Sequence, residues 1–459
     1  MDSIWKSTTR QFLRSKSGFA GLVMMIVILL FTVYSAAEVP QNIAFKWNNP
    51  QSWTGNPVGA APVWVGVIGL HVSPSIPVSL KMWQESNVSA GAARFYEYNS
   101  NSSFSWSSST TPQDVSFLPT FRGNAISATI AWTKPGAKAV DIQVSQVQSG
   151  NQYDANSPDF KNAISQYILA QTGQYSSGLT KSQVMSALFD QNGKGLLSGP
   201  VDTGDFTVEV QLLSTSPLNF TSNSSFNVIG TSYGPMGTDY YGRPIDLGIL
   251  AGLPNALELG ILTSVVAVVG GVIFGGLAGY FGGRKDGIMQ WTTIVFLALP
   301  ALNFLVVISY SSSLTLLEEG LLISFLSWPF YAIIARTVAL SIKSQTYIEA
   351  DRAMGIPAYR TFFSHFMPRL APVSIAYTVL GIPAGILLVE TLGFLGIQPP
   401  NLITWGTILD SAFFNEAALY GWWWWVLFPG LMIVIATIPF VLMGFALDKI
   451  IAPRVTNFD

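Results

Sequence analysis

The sequence predicts an all-α membrane bundle of six transmembrane helices, with an α+β domain outside the membrane inserted between spans one and two. Three observations lead there. Hydrophobic residues make up 49% of the 459 and charged residues only 10%, with mean hydropathy +0.41, too apolar and too charge-poor for an ordinary soluble enzyme. Apolar runs occupy about residues 18–37, 256–281, 288–310, 320–340, 371–395 and 424–447, and each is long enough at 1.5 Å per residue to cross most or all of the ~30 Å hydrocarbon layer. Between the first two runs, residues 38–255 are rich in Ser, Asn, Gln, Thr, Tyr and Gly, with charges of both signs. A net charge of −2 gives no reason to expect nucleic acid, and the lack of cysteine excludes disulfides and thiolate chemistry. The two histidines, His71 and His365, are too far apart in the chain to suggest a metal site.

Residues 1–17 form a basic head with Lys6, Arg10, Arg14 and Lys16, and residues 18–37 form span one. A cleaved signal peptide is the rival reading, with Ser35-Ala36-Ala37 as its cleavage site. Signal cores usually run 7–15 residues, so a retained anchor is expected. The next interval, 38–236, should fold without disulfides, because roughly 200 residues can bury a core of their own. β-Branched or alternating stretches at 63–72, 125–132, 139–147 and 206–213 predict strands. Ser157-Pro158 and Thr180 predict N-caps for helices over 161–172 and 183–189. Residues 237–255 then lead to the membrane core, 256–459.

Counting crossings from a cytoplasmic N-terminus puts Arg284-Lys285, residues 343–369 and the tail with Lys449 and Arg454 inside, in agreement with the positive-inside rule. Loops 311–319 and 398–423 have no Lys or Arg, contain Glu318, Glu319, Asp410 and Glu416, and fall outside with the inserted domain. The Trp422–Trp425 run fits an interfacial anchor at the start of span six. Small residues at Gly270-Gly271, Gly275-Gly276, Gly279 and Gly381–Gly385 suit close helix packing, and Pro300, Pro329, Pro383, Pro429 and Pro439 should kink or bound spans.

The loop 343–369 is more than a connector. It runs Tyr347-Ile348-Glu349-Ala350-Asp351-Arg352-Ala353-Met354-Gly355 and reaches His365-Phe366-Met367-Pro368. Ala350, Ala353 and Met354 share a helical face, while Glu349, Arg352 and Arg360 supply charge. A short, partly apolar surface helix of this kind should dock on a partner.

This loop resembles the EAA motif of ABC importer permeases, in which Glu-Ala-Ala is followed three residues later by Gly. The wider pattern resembles the C-type subunit of the dipeptide/oligopeptide permease family. The resemblance rests on Gly237-Thr238-Asp239-Tyr240-Tyr241-Gly242-Arg243, Gly279-Tyr280-Phe281-Gly282-Gly283, Trp328-Pro329, Arg336, Glu390 with Phe394-Leu395-Gly396, Pro399-Pro400, Phe428-Pro429-Gly430 and the opening Phe12-Leu13-Arg14-Ser15-Lys16. It covers residues up to about 38 and from about 237 onward, and leaves out the inserted domain.

The resemblance implies a type I ABC importer permease fold and import of oligopeptides, or of oligosaccharides as in archaeal members. It implies a loop in which Glu349, Ala350, Asp351, Arg352, Ala353, Gly355, His365 and Pro368 couple transport to ATP hydrolysis on separate chains. The implied partners are a B-type permease subunit, two ATP-binding subunits that carry ATP and Mg, an extracellular substrate-binding protein and the bilayer, with no nucleic acid. No cofactor is expected on this chain. Asp351 departs from the motif by standing at the second Ala position, which suggests a charge pair with an ATPase Arg or Lys and hence a dedicated ATPase.

The rival functions are an ion-coupled secondary transporter and a membrane-anchored surface enzyme. The first would want buried midplane charges and a repeat of broken helices, and Glu390 alone offers little of that. Glu390 itself is expected to serve as an intramembrane hydrogen-bonding group. The second would want a nucleophile elbow, a triad or a metal cluster outside, and none is found. Gly193-Lys194 lacks the upstream glycine and the Ser/Thr of a phosphate loop, so the chain is expected to be no enzyme. Glycosylation acceptors at Asn87, Asn101, Asn219 and Asn223 all lie in the inserted domain. Sparse charge and the lack of cysteine suit a hot or acidic exterior and an archaeal source.

Overall fold

A computed structural model describes residues 10–69, 71–80, 83–90, 93–136, 139–173, 176–189, 201–220, 224–312, 314–399 and 401–456. The chain divides into two compact units, one formed by Met1–Asn48 with Leu247–Asp459 and the other by Asn49–Asp246. The turn 237–243 therefore belongs to the inserted unit. In chain order the first unit opens with α1 (Lys16–Glu38) and the short α2 (Ile43–Trp47).

The inserted unit is α+β. Its strands are β1 (Ile76–Ser79), β2 (Gln84–Ala90), β3 (Ala93–Trp106), β4 (Asp114–Leu118), β5 (Ala125–Thr133), β6 (Val140–Ser145), β7 (Tyr153–Asp154), β8 (Gly204–Ser214) and β9 (Ser225–Ile229), with α3 (Pro158–Thr172) and α4 (Lys181–Phe189) between β7 and β8. They form two antiparallel sheets, ordered β1-β9-β4-β7 and β2-β3-β8-β5-β6. Period-two alternation puts Phe206, Val208, Val210 and Leu212 of β8 wholly inside. Trp132 of β5 is the hub of the core, its ring 5.6 Å from Phe206, 5.3 Å from Phe189 of α4 and 5.8 Å from Phe226 of the other sheet. Its indole N–H donates to Leu188 O at 3.0 Å, so a large buried aromatic leaves no polar atom unpaired.

The strands expected at 125–132, 139–147 and 206–213 correspond to β5, β6 and β8. Among the described residues of 63–72 there is no strand. Val63–Ile68 is a 3₁₀ turn ending at Gly69, whose φ of +92° closes the turn where a pleated strand would have continued. At α3, Ser157 has the extended backbone of an N-cap but its hydroxyl donates to Asp154 O rather than capping, and Pro158 starts the helix. At α4, Thr180 and Gln183 cap reciprocally, with Thr180 N–H donating to Gln183 Oε1 at 2.8 Å.

The membrane unit continues with α5 (Ile245–Phe281), α6 (Gly283–Leu297), α7 (Ala301–Ser311), α8 (Leu316–Lys343), α9 (Thr346–Ala353), α10 (Ala358–Thr361), a π turn (Phe362–Phe366), α11 (Met367–Phe394), α12 (Trp405–Phe414) and α13 (Trp423–Thr456). Among the described residues, five stretches are long and apolar enough to cross a bilayer: Lys16–Glu38, Ile245–Phe281, Leu316–Lys343, Ala358–Phe394 and Trp423–Ile451. The continuous span expected at 288–310 is instead two helices, α6 and α7, bent by 66°, which make a sixth crossing only if counted together. Pro300 lies at the break; it has no N–H to donate back and restricts Leu299 before it. Pro254, Pro329, Pro372 and Pro383 stay inside continuous helices.

Glycines set the helix spacing. A Cβ at Gly275 of α5 would lie 2.1 Å from Ala332 O of α8, one at Gly271 2.6 Å from Trp328 O, and one at Gly385 of α11 3.0 Å from Gly260 O. Backbone therefore touches backbone, as lipid-embedded helices require when apolar burial alone does not pull them together. Gly287 of α6 has nothing within 4 Å and makes the control. Gly275→Ala should destabilise the detergent-solubilised protein by about 1–3 kcal/mol through overpacking, read as a lowered melting temperature. Gly287→Ala should leave it unchanged or slightly raised. Equal melting temperatures would contradict the contact.

Candidate functional site

The loop between α8 and α11 is built on two faces. Helix α9 ends where Gly355 takes φ +75°, and Ile356 N–H returns to Asp351 O at 3.1 Å, a left-handed helix stop that glycine adopts without strain. On the inner face Ile348 is fully buried and Asp351 is 5% exposed. On the outer face Ala350, Ala353, Met354, Tyr359 and Phe363 are exposed, Met354 at 68%, Tyr359 at 70% and Phe363 at 64%. The side chains of Glu349 and Arg352 lie outside the described ones.

Asp351 does not point away toward a partner. Its Oδ2 lies 2.5 Å from Nδ1 of His365, in the π turn, and the pair clasps the start of the loop to its end. Within the chain, Asp351 thus has a hydrogen-bonding partner in His365 beside the one expected on an ATPase subunit. The reason is position: Asp351 lies one turn from Ile348, on the buried face, where an unpaired carboxylate would be costly. His365 is half-exposed at the rim rather than packed within the element. Arg369 stacks on Tyr347 with 3.9 Å between the guanidinium carbon and the ring centroid. Burial pushes the Tyr347 phenol above its ordinary range, and the Arg369 charge opposes that rise. Pro368 occupies the first turn of α11, where its missing N–H costs nothing.

The inner face is joined to three helices. Ile348, Phe362 and Phe366 share one buried cluster with Tyr280 of α5, Ala335 and Ala339 of α8, and Leu370 of α11. Tyr280 meets Phe362 at 5.4 Å and Phe366 at 5.2 Å, and its hydroxyl donates to Ala358 O at 3.1 Å. Near the same end, Arg336 of α8 grips Asp286 of α6 with a two-pronged pair at 2.6 and 2.7 Å. Phe362 and Phe366, four apart, mark one face in the sequence, whereas Ile348 lies in a separate helix and joins that face only through the fold.

Glu390 is buried in α11. One carboxylate oxygen accepts the backbone N–H of Gly406 at the start of α12, and a Cβ at Gly406 would lie 2.1 Å from Glu390 O. Glu390 thus ties two helices together through an otherwise unsatisfied amide. Sequence reading left Glu319 in an outer loop, but it lies in the first turn of α8, 2% exposed, with Gln398 donating to it at 3.3 Å and to Val389 O at 2.9 Å. Its neighbour Glu318 forms the capping box with Thr315, the signal that could have placed the helix start there.

In the turn 237–243, the buried Asp239 accepts N–H bonds from Tyr241 at 2.8 Å and Arg243 at 2.9 Å and pairs with the buried Arg243 side chain. Of the four acceptor asparagines, Asn87, Asn101 and Asn219 are exposed, and Asn223 lies outside the described residues. No group of three or more His, Cys, Asp or Glu that could hold a metal ion occurs among the described residues.

Residues 271–457 match the family of binding-protein-dependent transport system inner membrane components. The chain is 30% identical over 225 residues to a dipeptide transport system permease protein of Alkalihalophilus pseudofirmus, an alignment covering 48% of this chain and 72% of the relative. It is 28% identical over 220 residues to a probable D,D-dipeptide transport system permease protein of Escherichia coli, covering 48% and 72%. To an oligopeptide transport system permease protein of Mycobacterium bovis it is 26% identical over 222 residues, covering 48% and 75%. With its bundle of membrane helices and these matches across most of each relative's length, the chain belongs to the family of ABC importer permeases, in the C-type dipeptide/oligopeptide branch.

Proposed function

We propose that this permease subunit carries peptides into the cell and is coupled through residues 343–369 to separate ATP-binding chains. One observation supports this above the rest. The loop presents exposed Met354, Tyr359 and Phe363 outward while its inner face is packed among α5, α8 and α11. Exposed apolar side chains on a rigidly held loop suit a groove in a partner. Glu349 and Arg352 would supply charge at its edge, and Ala350, Ala353 and Gly355 would allow close approach.

On this reading two ATP-binding subunits, which hold ATP and Mg, close on nucleotide and pull the loop. Helices α5 to α11 then rock against a B-type permease partner, so that a central path opens outward and inward in turn. Both termini, Arg284-Lys285 and the coupling loop lie in the cytoplasm, and the inserted unit lies outside. Peptides are the cargo favoured by the relatives, which are named for dipeptides, oligopeptides and, in Pectobacterium atrosepticum, glutathione. An extracellular binding protein delivers the cargo, and the inserted unit, glycosylated at Asn87, Asn101, Asn219 and Asn223, helps to seat it.

Gly355→Val tests the coupling. A β-branched residue at φ +75° costs about 1–3 kcal/mol of backbone strain and should displace the stop at the end of α9. The variant should insert and assemble, but substrate-stimulated ATPase in the complex should fall at least about tenfold. Full stimulated ATPase would defeat the coupling role. For the inserted unit, glycopeptide analysis of native protein should find occupied asparagines, and unmodified asparagine at all four sites would refute glycosylation. A variant lacking residues 40–232 that still assembles should bind the substrate-binding protein less tightly. Undiminished binding would rule out the seating role.

A further inference from the structure

Helices α1 and α13 pack closely against one another. A Cβ at Gly21 would lie 2.8 Å from Met443 Cγ and 2.9 Å from Pro439 O, so the two helices are in backbone contact there. Toward the start of α1 and the end of α13 they leave a cavity of about 720 Å³, lined by Gln11, Ser15, Lys16, Ser17, Ala446, Lys449 and Ile450. The two lysines come from different helices and are both exposed, and none of the ion pairs among the described residues involves either of them. The apolar side of the cavity is Ala446 and Ile450. Ser15 caps α1 by accepting from Gly18 N–H at 3.1 Å, so the positive end of a 23-residue helix points the same way as the lysines.

We infer that this cavity is a binding site for an anionic phospholipid, with the phosphate between Lys16 and Lys449 and an acyl chain against Ala446 and Ile450. A free phosphate would satisfy the lysines and leave the apolar wall uncovered, and a zwitterionic lipid would bring its own cation to two cations. Only a lipid of net negative charge answers both halves of the lining. The lining contains no residue of the loop 343–369, so occupancy does not depend on the transport reading.

The test is native mass spectrometry of the full chain released from nanodiscs of mixed phosphatidylglycerol and phosphatidylcholine. Phosphatidylglycerol should be retained in preference. Lys16→Gln with Lys449→Gln should weaken retention by about fivefold per lysine and about thirtyfold together. The Lys16→Arg, Lys449→Arg pair should keep it. Ile450→Trp, which fills the cavity and leaves both charges, should also reduce it. Equal retention of the two lipids, or a Gln pair that folds and binds as the native chain does, would overturn the proposal. Displacement of the lipid by inorganic phosphate at comparable concentration would reduce the site to a phosphate site and overturn the lipid assignment.

Discussion

Backbone contact at glycine is the constraint on which the membrane unit depends. Between helices in hydrocarbon there is little apolar surface left to hide from water, so association rests on close approach and polar pairing. Helix α5 supplies that approach repeatedly, through Gly260 against Ile386 of α11 and through Gly271, Gly275 and Gly279 against α8. Polar bonds then fix the register: Ser264 donates to Thr378 O at 2.6 Å, and Ser324 to Thr263 O at 3.2 Å. A body packed this tightly has little freedom to bend at those contacts and moves by tilting as a unit.

Under the proposed coupling, that rigidity is what would give the loop 343–369 leverage. Through Tyr280, Phe362 and Phe366 the loop is part of the same packed cluster as α5 and α8, so a pull on its outer face is passed on rather than absorbed. The Asp351–His365 pair closes the loop across its mouth and keeps α9 and the π turn together as one piece. The carboxylate that breaks the family pattern at the second Ala position thus acts within the chain. It leaves the surface offered to a partner to Met354, Tyr359 and Phe363.

Much of this was legible in the sequence where a single physical rule decides. Long apolar runs such as 18–37 need lipid whatever their neighbours do, and strands such as β8 announce themselves by strict alternation. Elements decided by neighbours were hidden. Strand β3, with its Asn and Ser residues, has little strand propensity, and pairing with β8 makes it a strand, Tyr98 opposite Leu212 and Phe104 opposite Phe206. The bend at Pro300 could be foreseen as a kink or boundary, but its 66° could not, since the angle depends on what the two halves pack against. The partner of Asp351 was missed because it lies 14 residues away, across a π turn that no residue spacing announces. Glu390 could be singled out as an intramembrane acid, whereas its partner is a backbone amide and leaves no trace in the sequence.

The central claim, that the outer face of residues 343–369 seats on an ATP-binding subunit, can be tested directly because the chain has no cysteine of its own. Met354→Cys places a single thiol on the exposed face, and Lys285→Cys places one at the exposed start of α6. In the assembled complex, treated with a short thiol-to-thiol cross-linker against single cysteines on the ATP-binding subunit, the Met354→Cys site should join that subunit, with a yield that changes on adding ATP. An assembled, ATP-hydrolysing complex in which Met354→Cys stays unlinked while Lys285→Cys links would contradict the account.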